Sequence, residues 1–287
     1  MRQVIILSGK GGTGKTVITA AFAYLVHNKV LADCDVDAAN MHILLSPEIK
    51  ERYVFHGGQR AFIDSSKCLR CGRCRQYCRF TAINDNFLVD GSMCEGCGFC
   101  KLVCPAEAVS MKEVISGEWF VSSTRYGKMV HARLGIAEEN SGKLVALVRK
   151  KAKQIAEEDN CDWVIIDGPP GIGCPVISSL SGVDYALVVT EPTLSGLHDA
   201  DRVIKVARHF GISVGVVINK YDLNKEMADK IERYCDQNNV AFLGRIAFDR
   251  AVVDAVVSGK TIMEVSGLDA SYEITCIWDK ITQGLSN

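Results

Sequence analysis

Residues 9 to 16 read Gly9-Lys10-Gly11-Gly12-Thr13-Gly14-Lys15-Thr16, set between the apolar run Val4-Ile5-Ile6-Leu7 and a stretch of helical periodicity from Lys15 to Asn28. The pattern G-x-x-x-x-G-K-[ST] at a strand-to-helix junction leaves little choice of fold. Its glycines let backbone N–H groups wrap a phosphate at the helix N-terminus, Lys15 meets the β and γ oxygens, and the Thr16 hydroxyl can ligate Mg²⁺. A strand that hands such a loop to a helix is the opening of a βαβ unit. The same alternation continues along the chain. Strands are predicted near Val4 to Ser8, Val30 to Cys34, Trp163 to Asp167, Tyr185 to Thr190, Val214 to Asn219 and Ala241 to Arg245. Helices are predicted near Lys15 to Asn28, Gly142 to Asp159, Leu197 to Phe210, Lys225 to Asn238 and Asp249 to Ser258. The expected fold class is α/β, with a mostly parallel sheet covered by helices on both faces.

Thirteen cysteines break this pattern. Cys68, Cys71, Cys74 and Cys78 have the spacing C-x2-C-x2-C-x3-C, and Cys94, Cys97, Cys100 and Cys104 repeat it. Cys34, Cys161, Cys174, Cys235 and Cys276 share no spacing. Met1 and Arg2 run straight into an apolar stretch too short for a signal peptide or a membrane span, so the expected compartment is the cytoplasm, where thiols stay reduced and patterned cysteines are metal ligands. Zinc sites favour paired C-x2-C knuckles, whereas triplets suit iron–sulfur clusters. The expected organisation is therefore nested: residues 1–60 and 114–287 form the α/β domain, and 61–113 form an insert too small for much core without metal. With 48% apolar and 23% charged residues the chain is globular, and 33 basic against 34 acidic residues give no bulk attraction to nucleic acid.

The double cysteine run is similar to that of the two-cluster bacterial ferredoxins. That resemblance implies two 4Fe-4S clusters, with the last cysteine of each run crossing over: Cys68, Cys71, Cys74 and Cys104 on one, Cys94, Cys97, Cys100 and Cys78 on the other. Pro105 follows Cys104 as in ferredoxins, but Arg79 follows Cys78. Arg79 joins Arg70, Arg73 and Arg75 in a basic stretch that would raise a cluster potential, dock an acidic partner, or simply be solvated.

Lys10 lies inside the phosphate loop, where an ordinary P-loop has no need of it. The segment G-K-G-G-T-G-K-T resembles the deviant Walker A motif of the MinD/ParA family of ATPases, to which the nitrogenase iron protein also belongs. The resemblance implies that Lys10 reaches the nucleotide of a partner subunit, so that ATP holds a homodimer together and hydrolysis opens it. In Asp33-Cys34-Asp35-Val36-Asp37-Ala38-Ala39-Asn40, it assigns Asp35 to activating water and to the Mg²⁺ site, with Asp33 and Asn40 supporting. Trp163-Val164-Ile165-Ile166-Asp167 has the form of a Walker B strand, with Asp167 holding Mg²⁺ through water. Gly168-Pro169-Pro170-Gly171-Ile172-Gly173 resembles switch II. Asn219-Lys220-Tyr221-Asp222 matches the guanine-reading N-K-x-D of GTPases, while the family places an adenine-contacting asparagine at Asn219. Lys10 favours ATP and Asp222 keeps guanine open.

Cys174 lies in switch II without the upstream second ligand that a shared cluster needs, and is read as a packed small residue. The C-terminal stretch Tyr272, Ile274, Ile277, Trp278, Ile281 carries Glu273 and Asp279 against Lys280, which predicts a helix docked on the core and no stable membrane anchor. Asn140-Ser141 reads as a helix N-cap. Two functions of different class follow: an ATPase switch coupled to two clusters, for gated electron transfer or metallocentre assembly with a redox or metalloprotein partner, or a positioning or partner-recruiting ATPase in which the clusters are structural.

Overall fold

The computed structural model describes residues 1–135 and 141–285. Strand β1 (Arg2–Ser8) is buried at every position after the first, as expected of a strand covered on both faces. Around it lie β2 (Lys29–Asp33), β3 (Glu48–Ile63), β4 (Val109–Thr124), β5 (Gly127–Leu134), β6 (Trp163–Pro170), β7 (Tyr185–Thr190), β8 (Ser213–Asn219) and β9 (Ala241–Ile246). The order in the nine-stranded sheet is β3-β4-β5-β2-β6-β1-β7-β8-β9. Every ladder from β5 to β9 is parallel. The chain builds the sheet on one side of β1 as far as β6 and on the other from β7 onward. The C-terminal end of β1 is therefore where connections diverge, and such a point opens a crevice for ligands.

The helices are α1 (Lys15–Leu25), α2 (Met41–Leu45), α3 (Arg73–Gln76), α4 (Phe99–Leu102), α5 (Ser141–Glu158), α6 (Cys174–Leu180), α7 (Leu194–His209), α8 (Lys225–Gln237), α9 (Arg250–Val257) and α10 (Asp269–Gly284). Helix α10 buries Ala270, Ile274, Ile277 and Ile281. Its Trp278 ring lies 5.0 Å from Phe22 of α1 and 5.0 Å from Trp163 of β6. Each fully buried isoleucine of that stripe contributes about 1.5–3 kcal/mol, so this helix docks on the core as its sequence predicts. Among the described residues no helix is long and apolar enough to cross a membrane. Asn140, the expected cap of α5, lies outside the described residues.

Two compact units divide the chain. The first comprises Met1–Tyr53, Trp119–Arg133 and Ser141–Asn287; the second is Val54–Glu118 with a short segment that begins at Leu134. β3 leaves the first unit after Tyr53 and β4 re-enters it at Trp119. The sequence reading placed no strand between Cys34 and Trp163, and β3, β4 and β5 all fall there. The exposed start of β3, Glu48 to Val54, mixes charged and apolar residues without strict alternation, so it carries no clear period for a strand.

The second unit holds two copies of one local design. Gly72 (φ 78°) caps α3 and Gly98 (φ 74°) caps α4, each between the second and third cysteine of its run. At the equivalent point before each second cysteine the copies differ: Arg70 takes a left-handed φ of 52°, while the second run has Gly96 (φ 62°), where a Cβ would come within 2.1 Å of the Gln59 carbonyl oxygen. Only glycine fits that approach.

Candidate functional site

The loop after β1 supplies the centre of the site. Gly14 caps α1 with φ 92°, and a Cβ there would lie 2.3 Å from Asn219 Nδ2. That closeness is used: Asn219 Nδ2 donates to the Thr13 carbonyl at 2.8 Å, tying the end of β8 to the loop. Lys15 points into the protein and is 5% exposed. Its Nζ donates to Asp35 Oδ2 and to Asp167 Oδ1, both at 3.2 Å. Asp167 is also bound by Thr16 Oγ1 at 2.8 Å and by Thr19 Oγ1 at 2.8 Å. The residues expected from three distant segments thus meet in one cluster, and Thr19 joins them unforeseen. Thr19 lies one helical turn after Lys15 on the buried side of α1, a signal present in the sequence but easily taken for core.

Register explains the arrangement of the acids. β2 pairs with β6 so that Asp33 lies beside Asp167. Asp33 is fully buried; its Oδ1 accepts the Asp35 N–H at 3.1 Å, while Oδ2 has no partner. Three carboxyls therefore surround one ammonium, and the excess negative charge sets the titration. Burial and then Asp167 hold Asp33 well above the ordinary carboxylate range. Burial also raises Asp35, against the pull of Lys15. For Lys15, burial alone would lower the pKa, but Asp167, Asp35 and Asp33 outweigh it and keep the amine charged. Cys34, between the two acids, is fully buried, and burial pushes its thiol far up, as fits an apolar filler.

Two cavities open on the loop. One, of about 510 Å³, is lined by Gly11 to Val17, Asp35, Ala38, Asn40 and Pro170. The other, of about 260 Å³, lies beside Gly12, Gly14 and Asn219 and is walled by Phe248, Val252, Val253, Val256 and Val257. The first presents phosphate-binding groups and the second an apolar slot, the combination a nucleotide needs. The wall from α9 was not anticipated, because four valines on a short helix read as core. Asp222 does not line this slot, but its Oδ1 accepts the N–H of Phe248, which does, at 2.7 Å. Its carboxylate thus anchors the wall of the slot.

Lys10 and Gly9 sit against the next strand. A Cβ on Gly9 would meet Asp199 Cβ of α7 at 2.3 Å. Lys10 Nζ lies 3.2 Å from Glu191 Oε2, and Lys220 Nζ lies 2.7 Å from Glu191 Oε1. Lys220 belongs to the expected N-K-x-D segment, whereas Glu191 carries no signal in the sequence. In switch II, a Cβ on Gly168 would meet Leu7 Cδ2 at 2.5 Å, and Gly171 N donates to the Ser8 carbonyl at 2.9 Å. Cys174 begins α6 and is exposed rather than packed as expected.

The eight patterned cysteines lie in the second unit, around two separate hollows. Cys68, Cys71, Cys74 and Cys104 line one; Cys78, Cys94, Cys97 and Cys100 line the other. Backbone N–H groups point at two of the sulfurs, Arg70 N at Cys68 Sγ (3.4 Å) and Ala108 N at Cys104 Sγ (3.3 Å). Burial raises Cys74, and neighbouring Cys68, Cys104 and Cys71 add to it. Among the described residues, no group of three or more His, Cys, Asp or Glu is arranged to hold a metal ion.

Known proteins share this chain's architecture. The family model described as the CobQ/CobB/MinD/ParA nucleotide binding domain matches residues 4–262. An uncharacterized protein of Methanocaldococcus jannaschii is 37% identical over 226 residues, which take in 77% of this chain and 79% of that one. The septum site-determining protein MinD of Bacillus subtilis is 24% identical over 271 residues, or 90% of this chain and 81% of its own. Among solved structures, MinD of Pyrococcus horikoshii complexed with Mg-ADP is similar with a TM-score of 0.62 at 17% identity, over 98% of this chain and 95% of that one. The MinC:MinD complex of Aquifex aeolicus gives 0.60 at 20% identity, over 99% and 96%.

Proposed function

The chain belongs to the CobQ/CobB/MinD/ParA family of nucleotide-binding domains, and from that premise we propose that it is an ATP-hydrolysing switch that dimerises on ATP and recruits a protein partner. The observation that carries this reading is the buried cluster in which Lys15, Thr16, Asp35 and Asp167 converge beneath a glycine loop. Lys15 and the loop N–H groups neutralise the β and γ oxygens. Thr16 and Asp167 are the residues that would hold Mg²⁺, which would supply neutralisation of the phosphate charge. Asp35, at the rim of the phosphate cavity, orients the attacking water, and Lys10 completes the site of a second copy. The apolar slot beside Asn219 receives the base. The lysine inside the phosphate loop, Lys10, favours ATP over GTP, while Asp222, among the described residues, keeps a free Oδ2 beside its bond to the Phe248 N–H.

The second unit supports a further component of the proposal: residues 61–113 form an inserted ferredoxin-like module with two 4Fe-4S clusters. Two hollows lined by the crossed cysteine quartets favour it, as do N–H groups aimed at sulfur. Four thiolates on a cubane bind four different irons, so their sulfurs stand farther apart than the ligands of a single ion. Bound there, the clusters would supply one-electron chemistry or a rigid scaffold. Residues 67 to 79 carry Lys67, Arg70, Arg73, Arg75 and Arg79 and no acid, and all five are exposed. Arg75 is paired with Asp85, and the remaining exposed cations of this stretch suit an acidic redox or metalloprotein partner.

The test combines phosphate release with Mg-ATP or Mg-GTP, light scattering in each nucleotide, and iron and sulfide content after anaerobic purification. ATP-specific turnover, lost with Asp35→Asn, and an ATP-dependent dimer are expected. Turnover equal to that of the Asp35→Asn variant would refute the ATPase assignment. Iron content unchanged by Cys78→Ser and by Cys104→Ser would refute the crossed clusters.

A further inference from the structure

Glu191 is the first residue after β7, and its backbone has little freedom. The Thr193 N–H donates to its carbonyl at 2.7 Å, Thr193 caps α7, and a Cβ on Gly196 would come within 2.4 Å of the same carbonyl oxygen. The side chain is 17% exposed and reaches two ammonium groups at once: Lys10 of the phosphate loop at 3.2 Å and Lys220, just after β8, at 2.7 Å. Lys220 takes a left-handed φ of 56° and places its Nζ 3.4 Å from the Gly12 carbonyl oxygen. One carboxylate therefore ties the phosphate loop to the loops after β7 and β8. The two ammonium groups outweigh burial and lower the Glu191 pKa, so the carboxylate is charged at neutral pH.

We propose that Glu191 is a positioning residue that clasps Lys10 within its own subunit, and that ATP-dependent dimerisation proceeds by transferring Lys10 from Glu191 to the phosphates of a second copy. This rests on the role proposed above for Lys10 in the partner's site. A single ammonium cannot serve both anions, so the clasp competes directly with the dimer. A triphosphate, with three to four negative charges, wins the exchange where a lone carboxylate loses it. Lys220 makes the exchange feasible: it holds Glu191 at the shorter distance, so the carboxylate is not left buried and unpaired when Lys10 departs. Lys10 is 35% exposed on its side chain and can swing without opening the core.

The clasp predicts effects of opposite sign at two neighbouring residues. Glu191→Gln keeps the shape and removes the charge that restrains Lys10, so the ATP-dependent dimer should tighten by about two- to thirty-fold, the worth of two partly exposed ion pairs, one in each subunit. Lys220→Met leaves Glu191 to Lys10 alone, so the dimer should weaken by a similar factor. Both are measured by sedimentation equilibrium with Mg-ATP in an Asp35→Asn background, which suppresses turnover, with Mg-ADP as the control. A merely structural role would shift both variants in the same direction and would act in ADP as well. Wild type that dimerises while Glu191→Gln is unchanged or weaker overturns the clasp alone. Wild type that stays monomeric in ATP overturns the role of Lys10 and the clasp with it.

Discussion

Replacing Lys15 by methionine removes the one cation from a buried group of three carboxyls, and the structure fixes both the size and the pH dependence of the effect. Each 3.2 Å contact to Asp35 and Asp167 is worth about 5 kcal/mol of Coulomb attraction at an effective dielectric of 20, before desolvation. Removing one member of such a buried pair costs about 3–5 kcal/mol net. Burial already holds Asp33 and Asp35 above their ordinary value of 3.8, and loss of Lys15 raises them further. A carboxyl whose folded-state pKa exceeds its unfolded value contributes stability that is complete below the unfolded value and is lost as pH rises through the folded one. The variant should therefore lose about 1.4 kcal/mol per pH unit for each extra proton bound in the folded state. Thermal melting of the nucleotide-free protein tests this. At pH 8 the variant should melt about 6–20 °C below wild type, at roughly 2–4 °C per kcal/mol, and the gap should narrow steadily as pH falls toward the ordinary carboxylate range. A gap that is constant with pH, or wider in acid, would refute the crowded-carboxylate account.

Other expectations are more local. Gly14→Ala places a Cβ 2.3 Å from Asn219 Nδ2 at a φ of 92°; it should sever the tie from Asn219 to the loop and weaken binding of a fluorescent ATP analogue at least ten-fold, about 1.4 kcal/mol. Asp35→Asn should slow phosphate release by about 10²-fold or more while nucleotide binding persists. His131 is buried beside Ser122, whose hydroxyl lies 2.8 Å from Nε2, and burial first, then His42, lowers it to about 4. The unfolded chain then binds the extra proton between about pH 4 and 6.5, so His131 costs about 3 kcal/mol of stability as pH falls through that window. His131→Phe should flatten the acid limb of a pH–melting curve, and an unchanged limb would exclude His131 as its source.

The phosphate loop and the acid-ended strand β6 were legible because each is a local pattern whose chemistry requires nearly fixed spacing. The parallel strands other than β5 were legible as short apolar runs, since burial on both faces leaves nothing else. β3, β4 and β5 were not, because half-exposed strands mix residue types and show no clear period. Asp222 matches a base-reading motif letter for letter, and the structure adds a contact that the motif does not announce, from the Phe248 N–H to its Oδ1.

What the sequence determined by itself was the set of groups: a loop for phosphate, acids at strand ends, a second lysine in the loop, eight spaced thiols. Only the tertiary structure decided which of them meet. The register of β2 on β6 brings Asp33 beside Asp167, the fold of the second unit lines each hollow with cysteines of both runs, and the order β1-β7-β8 brings Lys10 and Lys220 to one carboxylate, Glu191. Such contacts join residues as far as 208 positions apart, as the bond from Lys220 Nζ to the Gly12 carbonyl does. Sequence spacing carries no information at that range, because the sheet order that creates such neighbours is set by the packing of the whole chain.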